Sequence, residues 1–209
     1  QWPDLPDVKK LMSEEDLPNL RAVEKHFAQR TATVINDLGF DAAGWDEIVD
    51  FELDPKKSLV FWWRHDKPKL LTQALEKGYD VVMCPRLPLY FDFVQHDSHK
   101  AGRRWGGYCP LEDVYAFPDS LDEFSKRPKT GNVIGIQANL WTETTGTQER
   151  RDFLTFPRLL AMAEAGWTEK DNKKWSAFYD VRLKPHLPQL KARGLTIFDP
   201  YAVTKDIPK

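Results

Sequence analysis

An α/β fold with parallel strands is predicted for this chain of 209 residues. Short apolar strands and amphipathic helices alternate along it, which implies parallel strands joined by helical crossovers. The first two helical runs each stop at a glycine. The second strand is apolar on both faces, as a strand buried in a parallel sheet should be.

The first eighteen residues are rich in Pro and charge and read as loop. Leu20, Val23, Phe27, Val34, Ile35 and Leu38 then follow helical spacing, and Gly39 supplies the stop. Phe40-Asp-Ala-Ala-Gly-Trp45 reads as a short strand and Ser58-Leu-Val-Phe-Trp-Trp63 as a second. Leu70, Leu71, Ala74 and Leu75 predict a helix ending at Gly78. Asp80-Val-Val-Met-Cys84 is a third strand; Asn132-Val-Ile-Gly-Ile136 is a fourth, continuing toward Trp141. A helix is predicted near residues 149–165, with Phe153, Phe156, Leu160 and Ala163 on one side and Pro157 breaking it. A last amphipathic helix begins near Lys173, turns Trp175, Phe178 and Tyr179 inward, and is interrupted by Pro185 and Pro188. The stretch from Pro85 to Thr130 shows no periodic element. A loop of that length after a strand is usually functional, because ligands of α/β folds sit at the C-terminal strand ends. No linker divides residues 1–209, so one domain is expected.

Lys+Arg number 30 against 32 Asp+Glu, a net charge of -2. That balance argues against a nucleic-acid partner, which would require a strongly basic face. No apolar run approaches the ~20 residues of a membrane span. The phosphate-binding patterns G-x-G-x-x-G and G-x4-G-K-[ST] are absent, as is the nucleophile elbow G-x-S-x-G. Cys84 and Cys109 could pair or stay as thiols, and no zinc spacing surrounds them. His96 and His99 admit a metal reading, but a polar loop after an aromatic strand explains them as well.

The chain holds 8 Trp, and aromatics make up 12%. A surplus of Trp signals either a large aromatic core or a platform for flat ligands such as sugar rings. Position favours the platform. The strand ends carry Trp45 in Gly44-Trp-Asp-Glu-Ile48, Trp62-Trp63-Arg64, Tyr90-Phe-Asp92 and Ala138-Asn-Leu-Trp141-Thr-Glu143. Aromatic faces stack on the C–H face of a pyranose, and carboxylates accept from its hydroxyls. Asp92 and Glu143 are candidate acceptors, or an acid/base pair of a glycosidase. Asp46-Glu47 reads as a strand-end pair whose side chains diverge.

Taken in order, Gly44-Trp-Asp-Glu-Ile48, Trp63-Arg64, Tyr90-Phe-Asp92, Trp105-Gly-Gly-Tyr108 and Asn139-Leu-Trp-Thr-Glu143 resemble the family 20 glycoside hydrolases. These are the β-N-acetylhexosaminidases, including chitobiases. Phe156-Pro-Arg-Leu-Leu-Ala-Met-Ala-Glu-Ala-Gly-Trp167 is similar to the family's final barrel helix. The resemblance implies a (β/α)8 TIM barrel, with the four strands as strands five to eight and residues 19–38 as the fourth helix.

The family's catalytic Asp-Glu dipeptide lies in a His-x-Gly-Gly-Asp-Glu type motif at the end of strand four, and no such motif occurs here. Asp46-Glu47 is a decoy that follows a Trp in the strand-five motif. The resemblance therefore implies the C-terminal half of a catalytic domain, inactive by itself. The chain does not begin with Met and reads as cut from something longer, so the lack of a leader at Gln1 is uninformative.

By the same resemblance, hydrolysis is retaining and substrate-assisted, without cofactor or metal. Tyr90 would donate its O–H to the acetamido oxygen. Trp45, Trp63 and Trp141 would wall the acetamido methyl, while Asp92, Trp105 and Glu143 would bind outer hydroxyls. Besides the N-acetylhexosaminide substrate, the expected partners are the other half of the barrel or a second copy meeting the open strand edges. Export of the parent from a bacterial cell is a family expectation. The alternative is a non-catalytic carbohydrate-binding module with the same aromatic site.

Overall fold

The structure, a computed structural model, describes residues 2–202. Its contacts separate two compact units interleaved in sequence. The first comprises Gln1–Trp62, Lys67–Val82 and Pro128–Ile134, and the second Trp63–Asp66, Met83–Arg127 and Gly135–Lys209. The expectation of one domain over residues 1–209 extends past the described residues at both ends.

The first unit opens with α1 (Pro6–Glu14), where the sequence reading expected only loop. Pro6 sits in the first helical turn, where its missing N–H has no partner to lose. None of its residues is buried, so a core-facing stripe was a weak signal. Helix α2 (Leu20–Asp37) is capped by Asn19, whose Oδ1 accepts from Ala22 N at 3.0 Å. Gly39 follows in the left-handed region at φ 85°, a conformation that favours glycine.

Strand β1 (Ala42–Trp45) leads into a 3-10 turn, Asp46–Phe51, so Asp46-Glu47 lies past the strand rather than on it. Strand β2 (Ser58–Trp62), helix α3 (Lys69–Glu76), β3 (Asp80–Met83) and β4 (Asn132–Ile136) follow. The strands stand in the order β1-β2-β3-β4, each crossover moving one place along the sheet. β1 and β2 pair in parallel, from Ala42 opposite Ser58 to Trp45 opposite Phe61. Val60, Trp62, Leu71, Ala74, Leu75, Tyr79 and Val81 form the core beneath them. Tyr79 settles its buried hydroxyl on the Leu53 carbonyl at 2.9 Å. Gly131 admits β4 beside α3, because a Cβ there would strike the Tyr79 carbonyl oxygen. Ile134, on the outer strand, is 55% exposed, whereas Val60 and Val81 on inner strands are fully buried.

The second unit contains most of the stretch that the sequence leaves without elements. Besides the helical turn Arg86–Leu89, it holds two short helices, α4 (Leu111–Ala116) and α5 (Asp122–Ser125). Neither is long enough to show a 3.6-residue repeat. The predicted helix near 149–165 is two helices, α6 (Gln148–Thr155) and α7 (Arg158–Trp167), divided at Pro157. α4 packs on α7.

The last helical region also differs from expectation. A π-helical segment, Ala177–Leu183, runs into α8 (Lys184–Ala192), which contains both prolines. Pro185 falls in the first turn of α8. Pro188 lies inside α8 and forfeits one main-chain bond. Phe178 is buried, and Trp175 stacks on Tyr179 with centroids 5.0 Å apart.

Both cysteines are buried free thiols; Cys109 Sγ donates to the Tyr90 carbonyl at 3.3 Å. His99 belongs to aromatic packing, its ring 4.9 Å from Phe153 and 4.7 Å from Phe198. No helix among the described residues is long and apolar enough to cross a membrane.

Candidate functional site

All the candidate residues except Trp45 lie in the second unit. Trp45 ends β1 in the first unit, 39% exposed, with its ring edge-on to Phe61 at 6.0 Å.

Tyr90 follows a turn that starts at Pro85. Its N–H donates to the Arg86 carbonyl, and the turn is tied back by Arg86 N to the Trp63 carbonyl at 2.8 Å. The next N–H, of Phe91, donates to the Asn139 carbonyl at 2.7 Å, while Asn139 N donates to Leu89 O at 2.9 Å. The Tyr90 segment and the Asn139–Glu143 segment are thereby laid side by side, extending past the end of β4 as expected. Tyr90, Phe93 and Cys109 form a buried apolar cluster against which Trp63 and Leu87 pack.

The Tyr90 ring lies 5.8 Å from that of Trp141, tilted by 59°. Burial pushes the Tyr90 phenol far above the ordinary tyrosine range, and the nearby Cys84 thiol adds to this; a hydrogen bond with the Trp141 side chain works the other way. The phenol therefore stays protonated and acts as a donor.

Asp92 is fully buried, with Oδ2 at 2.7 Å from Arg103 Nε. Burial raises its pKa, opposed by its own N–H, by Arg103 and by the Trp141 N–H, with Glu143 raising it slightly further. Despite the short ion-pair distance, neither carboxylate oxygen takes part in a well-directed hydrogen bond. Glu143 sits on a 3-10 turn, Thr142–Thr144, with Oε1 at 3.0 Å from Arg103 Nη2. Its own N–H, and then Arg103, hold it below the usual carboxylate range. One guanidinium thus lies between the two carboxylates, and Glu143, held below the usual range, is ionised near neutral pH and unsuited to be a general acid.

Trp105 is 51% exposed, edge-on to Phe93 at 5.1 Å. The Arg86 guanidinium lies over its ring at 4.4 Å and that of Arg103 at 5.9 Å.

Two arginines were missed in the sequence. Arg103 comes beside Asp92 through main-chain pairing: Arg103 N donates to Asp92 O at 3.1 Å, and Val94 N to Arg103 O at 3.0 Å. Arg158 is fully buried and donates to the carbonyls of Phe91 at 2.6 Å, Phe93 at 2.9 Å, Cys109 at 3.1 Å and Leu154 at 3.0 Å. Burial lowers its pKa to about 10, so it remains a cation at neutral pH. It ties the Tyr90–Asp92 segment to α7. Its place directly after Phe156-Pro157 was the available signal.

This arrangement of buried phenol, flanking indoles and ion-paired carboxylates fits the family that the motifs resemble. The model of the glycosyl hydrolase family 20 catalytic domain matches residues 1–170, most of the chain. The chain belongs to glycosyl hydrolase family 20.

Among curated relatives, a β-hexosaminidase of Porphyromonas gingivalis is 34% identical over 179 residues, covering 85% of this chain and 22% of its own length. A β-N-acetylhexosaminidase of Cellulomonas fimi is 31% identical, over 75% of this chain and 31% of its own length. The chain therefore spans less than a third of the length of these relatives. Among solved structures, the family 20 exo-β-N-acetylglucosaminidase of Vibrio harveyi in complex with N-acetylglucosamine superposes with a TM-score of 0.83 at 30% identity, covering 96% of this chain and 31% of that one. The family 20 β-N-acetylhexosaminidase of Streptomyces coelicolor gives a TM-score of 0.74 at 25% identity, over 86% of this chain and 37% of that one. The fold is accordingly part of the family 20 α/β barrel.

Proposed function

We propose that this chain is part of a β-N-acetylhexosaminidase that removes terminal β-linked N-acetylhexosamine from glycans or chitooligosaccharides. The observation that carries this reading is Tyr90: a buried phenol, held protonated beside Trp141 and two residues from the ion-paired Asp92. A permanent donor is what substrate-assisted hydrolysis requires at that point. The substrate's acetamido oxygen attacks the anomeric carbon, the glycosidic bond breaks, and an acid protonates the departing oxygen. Water then opens the oxazolinium ring with net retention. Tyr90 orients and polarises the acetamido oxygen without taking a proton from it.

Trp63, packed on the Tyr90 cluster, and Trp141 would wall the acetamido methyl, with the half-exposed Trp141 also stacking on the ring. For Trp45 the same role rests on its motif alone. Trp105 through its indole N–H, and Glu143, would bind outer hydroxyls, with Asp92 at the same end. No His-x-Gly-Gly-Asp-Glu motif occurs in the 209 residues, and on this reading the acid and its partner carboxylate are supplied by residues outside them. The four strands are read as strands five to eight of the barrel, and the exposed Ile134 on β4 suits an edge that the remaining strands cover. Export of the protein from a bacterial cell is part of the same proposal.

The purified 209-residue chain is expected to release no p-nitrophenol from p-nitrophenyl N-acetyl-β-D-glucosaminide. Turnover that copurifies with it and disappears in a Tyr90→Phe chain would contradict the assignment of the acid to residues outside it.

A further inference from the structure

We infer that Arg86 is a positioning residue: its guanidinium holds the Trp105 ring, and with it the turn that carries Trp105, against the segment that carries Tyr90. This deepens the reading of the site given above and rests on it for the role of Trp105.

Trp105 is 51% exposed, so burial alone does not fix its ring. Phe93 meets the ring edge-on at 5.1 Å, and Arg103 reaches it only at 5.9 Å. The Arg86 guanidinium lies over it at 4.4 Å. The main chain beside Trp105 also runs close to the Arg86–Leu89 turn. A Cβ at Gly107, where φ is 135°, would come within 3.0 Å of Leu87 Cδ1.

Arg86 is itself fixed. Its N–H donates to the Trp63 carbonyl at 2.8 Å, and its carbonyl accepts from the Tyr90 N–H at 3.0 Å. Its side chain keeps 15% of its surface. The ion pair with Asp66 is long, Nη2 to Oδ1 at 3.7 Å, and Nε has no hydrogen-bond partner among the described residues. A guanidinium taken this far out of water, with that carboxylate at a distance, gains from the face of an indole, and the attraction is stronger for a cation that has lost its water. The contact acts both ways: it stabilises the cation and it holds the ring.

Trp63 and Tyr90 belong to segments that the Arg86 main chain ties together, whereas Trp105 belongs to a separate turn. The Arg86 side chain bridges the two. It sets where the Trp105 indole stands relative to the buried phenol, and an indole already in place avoids the cost of being ordered on binding. Arg86 acts through Trp105 and not by touching the sugar.

The test is a double-mutant cycle in the complete protein. Steady-state hydrolysis of p-nitrophenyl N-acetyl-β-D-glucosaminide, thermal unfolding and acrylamide quenching of Trp fluorescence are measured on each variant. Arg86→Met removes the cation and keeps an unbranched apolar side chain. It is expected to raise KM about 3- to 20-fold, the scale of one cation–π contact, with a smaller change in kcat. Trp105→Ala should raise KM at least as much. The double variant should match Trp105→Ala alone, because Arg86 acts through that ring. Quenching should increase in Arg86→Met and should not increase when Arg86→Met is added to Trp105→Ala.

A KM rise below about threefold in Arg86→Met would overturn the inference. So would a double variant whose KM rise is the product of the single ones, since Arg86 would then act on the sugar itself. A fall in kcat larger than the rise in KM would also overturn it, because Tyr90 would then be the group that Arg86 positions. Should Arg86→Met fail to fold, Arg86→Lys decides. Lysine keeps the charge without the planar face, so a KM rise that vanishes in the Trp105→Ala background supports the inference. An unchanged KM, or a rise that persists in that background, overturns it. A wild-type protein that does not cleave this substrate would sink the proposed function instead, and the quenching comparison would still decide the contact.

Discussion

Tyr90→Phe in the complete protein is expected to lower kcat for p-nitrophenyl N-acetyl-β-D-glucosaminide about 100- to 1000-fold, with a much smaller change in KM. That is the scale for losing one preorganised donor to a developing charge. The substitution removes a single oxygen and keeps the ring against Trp141 and in the cluster with Phe93 and Cys109. Packing and stability should therefore change little. The donor matters most as the acetamido oxygen becomes a nucleophile, so its loss falls on the transition state rather than on binding. Steady-state kinetics separate the outcomes. An unchanged kcat with raised KM would make Tyr90 a binding group only.

Arg158→Met is the second large effect, on stability. The methionine fills part of the volume but leaves the carbonyls of Phe91, Phe93 and Cys109 buried without their donor. Each orphaned acceptor costs about 1–3 kcal/mol, and the whole loss should reach about 3–5 kcal/mol. Urea unfolding of the complete protein, followed by Trp fluorescence, reads this as a lowered midpoint. Arg158→Lys keeps one donor and should fall between. A Met variant within about 1 kcal/mol of wild type would show that water or rearranged main chain satisfies those carbonyls. Because the same carbonyls bracket Asp92, any folded Arg158→Met protein should also lose activity.

These two residues mark how far the sequence could be read. Tyr90 was singled out because it opens a motif past the third strand, in order with four other motifs. Arg158 was in plain view within Phe156-Pro-Arg158, yet periodicity assigns a helix residue to a face and says nothing about carbonyls on a distant segment. Arg103 was hidden for a related reason. It reaches Asp92 across the intervening residues 93–102 through main-chain pairing, which no side-chain pattern encodes. Its only sequence mark was Gly102, a residue that can adopt positive φ.

The elements divide the same way. α2, α3 and the four strands carry strong apolar periods and appear as expected. The break at Pro157 followed from ring geometry alone. α1 buries nothing and α4 is barely longer than a turn, so neither had a period to detect. Pro188 inside α8 defied a sound rule. The burial of Asp92 against Arg103 had no signal in the sequence.

The central claim is that the Tyr90 site recognises a 2-acetamido group that takes part in the chemistry. The direct measurement compares hydrolysis of p-nitrophenyl N-acetyl-β-D-glucosaminide with that of p-nitrophenyl β-D-glucoside by the complete protein. The account predicts ready cleavage of the first and none detectable of the second, which lacks the internal nucleophile. Comparable kcat/KM on both substrates would contradict it.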